Sequence, residues 1–427
     1  MGYMFEDIIR RFSENEEAGS HYTPREVIAL MVNLLLIEAD EELFVDKKEL
    51  KILDMAAGTG GMLATAKSYI RQLNTGATVR LFGQEVLPET FGIGRADMLI
   101  RQEDSDYFVK VDTLKDPDPF PDTKMSFVIA NPPFGQAWGG KDADDGVEDA
   151  VKKDHQLFDK TEGRQGRFVA TPGTGDAQLL FHLHALAKLE ENGRAAIISN
   201  GSPLFSGGTS SGESQIRRYI LENDLLEAIV ALPGQFFYNT GIGIYIWIYN
   251  KNKSPERQNK VQFIDATEEF VPLRKSLGQK RRELSQDNIR QILRWYDDFQ
   301  ENDHVKIFDN QEFLYREFTV MQPLQRRGQI SEETIEKAKS VPFLAKLFDE
   351  YQYQELLEME PRSAKDEKKL QDFEAGKAKQ EAILDALRGG ITDDSYPNFE
   401  SFVQVIKDLL GDIKVTPANI NALALAM

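Results

Sequence analysis

Short apolar runs alternate with helix-type patterns along the first 266 residues. The apolar runs have the length of buried strands: residues 50–54, 79–86, a segment ending at 112, 125–134, 194–200, the end of 216–232, 242–251 and 260–266. Apolar residues at helical spacing lie between them: a helix from Pro24, then 61–73, 88–100, 176–193 and the start of 216–232. This alternation predicts an α/β fold with a mainly parallel sheet covered on both faces. The last two strands follow each other without a helix, which predicts an antiparallel pair at one edge.

The pattern changes after residue 266. Strand signals fade, and Lys, Glu and Gln become frequent, with a solvated charged stretch near 361–380. We therefore predict two domains, an α/β domain over 1–266 and a mostly helical domain over 267–427. Residues 135–175 are rich in Gly, Asp and Lys and show little periodicity, so we predict a long loop there.

Composition narrows the classes of protein. Hydrophobic residues make up 41% of the 427, enough for a packed core. No window approaches the ~18 apolar residues of a membrane span, and the N-terminus lacks the apolar region of a signal peptide. We therefore expect a cytoplasmic protein that does not contact a membrane. The absence of cysteine excludes disulfides, thiolate metal sites and cysteine nucleophiles. The five histidines are scattered, so we predict no metal site.

A glycine-rich turn follows the strand at 50–54. The sequence LDMAAGTGG ends the strand at an acid and opens a helix with Gly58, Thr59, Gly60 and Gly61. Glycines allow a ligand close to the backbone, and a helix N-terminus offers N–H groups to a carboxylate or phosphate. Leu63 stands where the dinucleotide fingerprint requires a third glycine, which disfavours a pyrophosphate. The methionine end of S-adenosylmethionine suits the turn, but a βα turn without a ligand is the alternative.

Two further acids end strands. Glu85 closes the strand at 79–86, and Asp112 follows the segment that ends there. Ligands of α/β sheets bind at the carboxyl ends of the strands. Glu85 could therefore accept hydrogen bonds from ribose hydroxyls, and Asp112 from an adenine amine. The alternatives are a helix cap for Glu85 and a turn residue for Asp112.

The segment NPPF, residues 131–134, ends a buried strand. Pro132 and Pro133 withhold two backbone donors and hold the chain extended. The Asn131 amide oxygen and the Pro132 carbonyl are then converging acceptors, as the exocyclic amine of a base requires, and Phe134 could stack on that base. Such a base must first leave the duplex. A plain turn at the end of a strand is the alternative.

Several segments together resemble one family. The turn at 54–61 and NPPF look like the cofactor and catalytic motifs of amino-methyltransferases. The segments GSHYTPREV (19–27), GDAQLLFHLHALAKL (175–189), AIISNGSPLFSG (196–207) and IVALPGQFFYNTGIG (229–243) resemble the modification subunits of type I restriction–modification systems, in that family's order.

The resemblance implies a Rossmann-like S-adenosylmethionine-dependent methyltransferase fold and methylation of adenine N6 in double-stranded DNA. It also implies partners: a specificity subunit that reads DNA, a restriction subunit and a second modification subunit. Carried over by position, the cofactor residues are His21, Tyr22, Thr23, Pro24, Asp54, Ala56, Gly58, Thr59, Gly60, Gly61, Glu85, Asp112 and Thr113. The catalytic residues are Asn131, Pro132, Pro133 and Phe134.

The resemblance has consequences for the rest of the chain. The family's helical region before GYMFEDIIRR is missing here, so we expect a truncated chain. We expect residues 135–175 to be mobile without DNA and to close over the target base, and the C-terminal domain to contact other subunits. A net charge of −19 argues against DNA binding by the overall field of this chain. A partner that supplies most of the DNA contact removes this objection.

Other functions remain open at this point. Methylation at cytosine C5 requires a cysteine nucleophile and is excluded. Methylation of cytosine N4, of RNA or of a protein amide uses similar chemistry. Residues 208–212, GTSSG, match the nucleophile pattern of serine hydrolases, although they lie in a Gly/Ser-rich loop. A non-catalytic assembly subunit is the remaining alternative, and cofactor binding would distinguish it.

Overall fold

The computed structural model describes residues 23–37, 49–158, 166–238, 240–315, 318 and 327–427. The chain divides into two compact units, Met1–Glu317 and Phe318–Met427. The first unit is built on a nine-stranded sheet. Within the described ranges no helix is long and apolar enough to cross a bilayer.

The sheet has the strand order β11-β8-β6-β7-β5-β4-β1-β2-β3. Its strands are β1 (Glu49–Asp54), β2 (Thr78–Glu85), β3 (Phe108–Lys110), β4 (Met125–Ala130), β5 (Leu189–Ser199), β6 (Leu226–Leu232), β7 (Ile244–Asn250), β8 (Lys260–Asp265) and β11 (Val305–Asp309). β1 to β5 pair in parallel, and the β6–β8 pair is also parallel. The prediction of a mainly parallel α/β sheet is confirmed.

The predicted antiparallel pairing of the strands at 242–251 and 260–266 is wrong. β7 lies inside the sheet, antiparallel to both β5 and β6, while β8 pairs in parallel with β6 and antiparallel with β11. Six of the seven residues of β7 are buried. A strand with so apolar a sequence is more stable between two neighbours than at an edge.

Helices cover both faces of this sheet. They are α1 (Arg25–Leu36), α2 (Gly61–Leu73), α3 (Pro88–Ile100), α4 (Val147–Gln156), α5 (Gln178–Lys188), α6 (Ser202–Phe205), α7 (Gly212–Glu222) and α8 (Gln286–Asp298). Apolar residues of α1, α2 and α8 form one core cluster with the sheet, and those of α4, α5 and α7 form a second cluster. The result is a three-layer α/β unit.

Two predicted boundaries inside this unit differ from the structure. Residues 135–175 are not one loop, because α4 lies within them and buries Val147 and Val151. The helix predicted over 176–193 ends at Lys188, and β5 begins at the next residue. Leu189 already pairs with Met125 of β4, and the register shifts between this pair and the pair of Phe127 with Arg194.

The predicted domain boundary at 266 also differs, since residues 267–317 belong to the first unit. They contain the hairpin strands β9 (Val271–Leu277) and β10 (Lys280–Glu283), α8 and β11. α8 buries Ile289, Ile292 and Tyr296 in the core of this unit. The strand signal of β9 and β10 is weak because β10 is entirely polar and β9 contains a proline and three consecutive polar residues.

The second unit is helical in its described residues. Its helices are α9 (Glu332–Lys339), α10 (Pro342–Ala345), α11 (Glu350–Glu358), α12 (Ala364–Arg388), α13 (Phe399–Leu410) and α14 (Pro417–Ala426). They surround their own core cluster, which includes Ile335, Leu387 and Ile406. Most of the charged stretch at 361–380 lies in the solvent-exposed part of α12. The helical character that the sequence predicted for this region is therefore observed.

A buried ion pair joins the sheet to α1. Arg194 on β5 donates to the Glu227 carboxylate on β6 at 2.8 Å, and both side chains are almost fully buried. The same guanidinium donates to the carbonyls of Leu34 and Leu35, at the C-terminal end of α1. Burial alone would raise the pKa of Glu227, but Arg194 and the Tyr296 hydroxyl hold it below its usual value. The pair thus stabilises the position of α1 on the sheet.

Replacing Arg194 with Met should destabilise the first unit strongly, because Glu227 would remain buried without its cation. The expected loss in the free energy of unfolding is about 3–5 kcal/mol, measured by urea denaturation. The double variant Arg194→Met/Glu227→Gln should recover a large part of that loss. A single variant within about 1 kcal/mol of the wild type would contradict this account.

Candidate active site

Four polar residues lie at the ends of four neighbouring strands. β1 pairs in parallel with β4 on one side and with β2 on the other, and β2 pairs in parallel with β3. Asp54 and Glu85 are the last residues of β1 and β2, Asn131 directly follows β4, and Asp112 lies two residues after β3. The sheet therefore aligns Asn131, Asp54, Glu85 and Asp112 along one edge, in that order.

The glycine-rich turn lies between β1 and α2 at this edge. Gly58 and Gly60 have φ angles of +55° and +79°, a left-handed conformation that favours glycine. A Cβ on Gly60 would lie 2.7 Å from the Met98 Cε, so the turn also packs closely on α3. A Cβ on Gly61 would meet no atom within 4 Å, and Thr59 is half-buried. The glycine-rich turn thus packs tightly against α3, whereas the space beside Gly61 at the start of α2 is open.

Glu85 holds this turn in place. One of its carboxylate oxygens accepts a hydrogen bond of 2.8 Å from the Gly58 N–H, and the other accepts one of 2.8 Å from the Leu87 N–H, where α3 begins. The N-cap role considered for Glu85 is wrong, because Leu87 is the N-cap of α3 and Glu85 binds the N–H of that residue from outside the helix.

Asp54 is fully buried behind the turn. Its Oδ1 accepts a hydrogen bond of 3.1 Å from the Ala56 N–H, whereas its Oδ2 has no hydrogen-bond partner among the described residues. Burial, with a smaller contribution from the negative charge of Glu85, raises the pKa of Asp54 to about 8. A buried carboxyl oxygen without a partner costs free energy, and such groups cluster at functional sites.

Asp112 and Thr113 lie in the segment after β3, beside the residues that lead into the glycine-rich turn. The Asp112 Oδ1 accepts hydrogen bonds from the Leu114 and Lys115 N–H groups, so the turn role considered for Asp112 is present. The Thr113 hydroxyl donates to the Met55 carbonyl at 2.7 Å and thereby ties the segment after β3 to β1. The structure thus brings both residues next to the turn, where the resemblance places them.

Asn131 is joined to the segment before α1. Its Nδ2 donates to the Thr23 hydroxyl at 2.9 Å, and both side chains are buried. Pro24 then caps α1, its carbonyl accepting from the N–H groups of Val27 and Ile28. His21 and Tyr22 lie outside the described residues. The contact spans 108 residues of sequence and fixes the orientation of the Asn131 amide.

The residues after Asn131 form an apolar wall. Pro132 is buried, Pro133 and Phe134 are half-buried, and Phe134 packs edge-on against Phe237 with ring centroids 6.3 Å apart. Phe237 is fully buried in the loop between β6 and β7. Its role was missed in the sequence because no periodic pattern covers that loop.

Arg167 fixes the segment that follows the NPPF motif. Its guanidinium pairs with Asp154 at 2.5 Å, donates to the Thr113 carbonyl at 2.7 Å and lies 3.1 Å from the His184 Nδ1. The Trp138 indole donates to the Gly173 carbonyl at 3.0 Å. These contacts, which the sequence did not indicate, hold described parts of 135–175 against the segment after β3. The predicted closure of this segment over a base remains a prediction.

The residues present fit S-adenosylmethionine at the turn. The partnerless Asp54 Oδ2 suits a cationic donor such as an ammonium group, and the open start of α2 at Gly61 admits a ligand. By contrast, Ser210, the nucleophile position of the GTSSG segment, lacks the strand-to-helix turn that a hydrolase requires, because it lies between the helices α6 and α7 with no strand leading into it.

Asp54 should make the first unit less stable as pH rises. The folded carboxyl keeps its proton up to a pKa of about 8, whereas the unfolded one loses it near 3.8, so stability falls between these values. Replacing Asp54 with Asn removes this loss. Relative to the wild type, Asp54→Asn should gain a few kcal/mol in free energy of unfolding between pH 4 and 8.

Urea denaturation at several pH values measures this difference. Asp122→Asn, which makes the same charge change at an exposed position, should follow the wild type. A pH profile of Asp54→Asn parallel to that of the wild type would show that Asp54 is already ionised in the folded protein.

Comparisons with known proteins agree with this geometry. The family model for N-6 DNA Methylase matches residues 1–320. The HindI methylase subunit of a Haemophilus influenzae type I restriction enzyme is 31% identical over 273 residues, which are 62% of this chain and 54% of that protein. The MjaIX methylase subunit of Methanocaldococcus jannaschii is 28% identical over 297 residues, or 68% of this chain and 48% of that protein. The chain spans about half the length of these curated relatives.

A solved structure shows the same fold. The methyltransferase subunit of a type I restriction–modification system from Streptococcus thermophilus aligns with a TM-score of 0.58 and 28% identity, over 72% of this chain and 59% of that one. The Rossmann-like methyltransferase fold is thereby confirmed, as is the resemblance of the chain to type I modification subunits. The chain belongs to the N-6 DNA Methylase family and is related to the methylase subunits of type I restriction enzymes.

Proposed function

We propose that this chain carries the catalytic domain of a DNA methyltransferase that transfers a methyl group from S-adenosylmethionine to N6 of adenine. The protein acts as the modification subunit of a type I restriction–modification complex. The observation that carries the proposal is the position of Asn131, one strand away from Asp54, whose buried Oδ2 has no hydrogen-bond partner among the described residues. A base held at Asn131 and a cofactor held at the turn meet at the same edge of the sheet.

Asn131 and Pro132 bind the target amine in this proposal. The nitrogen of an exocyclic amine is a poor nucleophile because its lone pair is delocalised into the ring. Two acceptors that bind its hydrogens favour a tetrahedral nitrogen with a localised lone pair. The Asn131 amide oxygen and the Pro132 carbonyl serve as these acceptors. Because the Asn131 Nδ2 donates to the Thr23 hydroxyl, the amide oxygen lies on the side of the amide that faces away from Thr23. Phe134, supported by Phe237, stacks on the base after it has left the duplex.

The turn binds the cofactor, which supplies an electrophilic methyl group on a sulfonium. Asp54, Ala56, Gly58, Thr59, Gly60 and Gly61 hold its amino-acid part, with His21, Tyr22, Thr23 and Pro24 beside the methionine end. Glu85 accepts hydrogen bonds from the ribose hydroxyls, and Asp112 and Thr113 lie at the adenine. The tight packing of the turn on α3 fixes this binding surface before the ligand arrives.

Partners complete the enzyme. We infer that double-stranded DNA is the substrate, read by a specificity subunit, and that a second modification subunit and a restriction subunit join the complex in the cytoplasm. The net charge of −19 gives this chain an overall electrostatic field that repels DNA. This supports a complex in which the DNA-binding surface is shared with other subunits. The helical unit, residues 318–427, is the proposed contact with other subunits.

Replacing Asn131 with Ala should abolish methyl transfer while cofactor affinity stays within about twofold, because Asn131 contacts the base rather than the cofactor. Loss of a transition-state acceptor costs a factor of about 10²–10³ or more in kcat. The assay follows a labelled methyl group into duplex DNA and identifies the methylated nucleoside by chromatography. Asn252→Ala, an exposed change beyond β7 at the opposite edge of the sheet, serves as the control and should remain active.

Each outcome of this assay has a meaning. Label recovered as N6-methyl-2′-deoxyadenosine that depends on Asn131 supports the proposal. Label in N4-methylcytosine, in RNA or in a protein amide overturns the adenine assignment. Cofactor binding without transfer to any acceptor in the assembled complex favours a non-catalytic assembly subunit.

Cofactor binding at pH 7 should release about one proton from Asp54. With a pKa of about 8 this carboxyl is mostly protonated at pH 7, and it must ionise to accept the cofactor's cationic amine. Titration calorimetry in two buffers of different ionisation enthalpy measures the release. Asp54→Asn should bind more weakly and release no proton. Equal proton release from both proteins would show that Asp54 does not bind the amine.

A further inference from the structure

The β9–β10 hairpin differs in charge from the chain that carries it. Residues 271–283 contain five basic residues and one acid, whereas the whole chain has a net charge of −19. The basic residues are Arg274, Lys275, Lys280, Arg281 and Arg282. Neither the proposed cofactor site nor the proposed base site uses this segment.

The topology places the hairpin at the edge of the sheet that carries the site. β5 is parallel to β4, and β6 is parallel to β5 because both are antiparallel to β7. β8 is parallel to β6 and therefore ends at the same edge as β4, and β9 begins six residues later. The hairpin thus leaves the sheet on the side of Asn131.

Backbone hydrogen bonds fix the hairpin on the loop that supports Phe134. The Gln279 N–H donates to the Tyr238 carbonyl at 2.7 Å, and the Arg281 N–H donates to the Gln235 carbonyl at 2.9 Å. Gly278 has a φ of +60°, and a Cβ there would lie 2.3 Å from the Tyr238 carbonyl oxygen. The turn of the hairpin therefore lies directly on residues 235–238, which include the Phe237 that packs against Phe134.

Lys280 adds a second anchor. Its ammonium is buried, pairs with Glu26 at the start of α1 and lies 5.4 Å from the centre of the Tyr238 ring. Glu26 lies three residues after Thr23, the partner of Asn131. The hairpin is thus joined to both segments that position the NPPF motif. The charge of Lys280 is paired inside the protein by Glu26.

Three other cations of the hairpin face solvent. Arg274, Lys275 and Arg281 are exposed, and none has an ion-pair partner within 4.0 Å in the described part of the chain. Arg282 differs, since it is half-buried over the Phe270 ring at 4.1 Å. Unpaired arginines and lysines on a fixed strand pair provide a ready site for phosphate groups.

We propose that the β9–β10 hairpin binds the phosphate backbone of the DNA next to the flipped adenine, through Arg274, Lys275 and Arg281. The proposal rests on the proposed function. A base held at Phe134 brings its own backbone to this edge of the sheet, and the hairpin offers a local excess of positive charge in a chain that is acidic on balance. Such interactions set register and affinity without reading sequence.

The test measures DNA binding against salt concentration, with the full-length protein assembled with its specificity subunit. The variant Arg274→Gln/Lys275→Gln/Arg281→Gln should bind duplex DNA more weakly. Its slope of log affinity against log salt should fall by about 1 for each phosphate that the hairpin no longer binds, up to about 3. Its KM for DNA should rise while kcat at saturating DNA and cofactor affinity stay as in the wild type. The control Arg71→Gln/Arg101→Gln/Lys124→Gln makes the same charge change on exposed positions of the first unit, at the edge of the sheet opposite the site, and should keep the wild-type slope.

The outcomes separate this proposal from the proposed function. A hairpin variant with the wild-type affinity and slope, or an equal weakening in both triple variants, overturns the hairpin proposal alone. A hairpin variant that fails to assemble with the specificity subunit, yet binds cofactor, assigns the cations to a protein partner and also overturns it. Wild-type complex that binds no duplex DNA at low salt, or prefers RNA, overturns the proposed function and the hairpin proposal with it.

Discussion

The parallel pairing of β1 between β4 and β2 is the constraint on which the site depends. In a parallel sheet every strand ends at the same edge, so the residue that follows each strand comes close to its neighbours without any local contact between them. Asp54, Glu85 and Asn131 meet in this way although they are far apart in sequence. A shift in the register of β1 would separate the glycine-rich turn from Asn131, so the pairing positions the chemistry as well as the fold.

The site itself is locally unfavourable. Asp54 is buried with an oxygen that lacks a partner in the described residues, and two glycines adopt left-handed conformations. Interactions elsewhere offset this cost. Arg194 and Glu227 hold α1 on the sheet, and α1 in turn begins beside Thr23, which orients Asn131. Stability thus comes from the scaffold, and the buried Asp54 oxygen without a partner among the described residues lies where a ligand can bind it.

Local patterns predicted what depends on local sequence. The ends of β1, β2 and β4 were predictable because each is an apolar run closed by a polar residue, and NPPF was recognisable by its chemistry. The order of the strands was not predictable. The sequence of β7 has the pattern of any buried strand, and its position between β5 and β6 depends on pairing with residues far away in the sequence. The contacts of Asn131 with Thr23 and of Phe134 with Phe237 link distant segments for the same reason. β9 and β10 escaped detection because polar strands lack an apolar periodicity.

The central claim is that this edge of the sheet methylates adenine in DNA. The most direct measurement is to co-express the natural full-length protein with its specificity subunit in a host without adenine methylation, and then to sequence the DNA by a method that reads N6-methyladenine. The account predicts methyladenine at one sequence motif throughout the genome. A stable complex that binds S-adenosylmethionine but leaves no methyladenine in the DNA would contradict it.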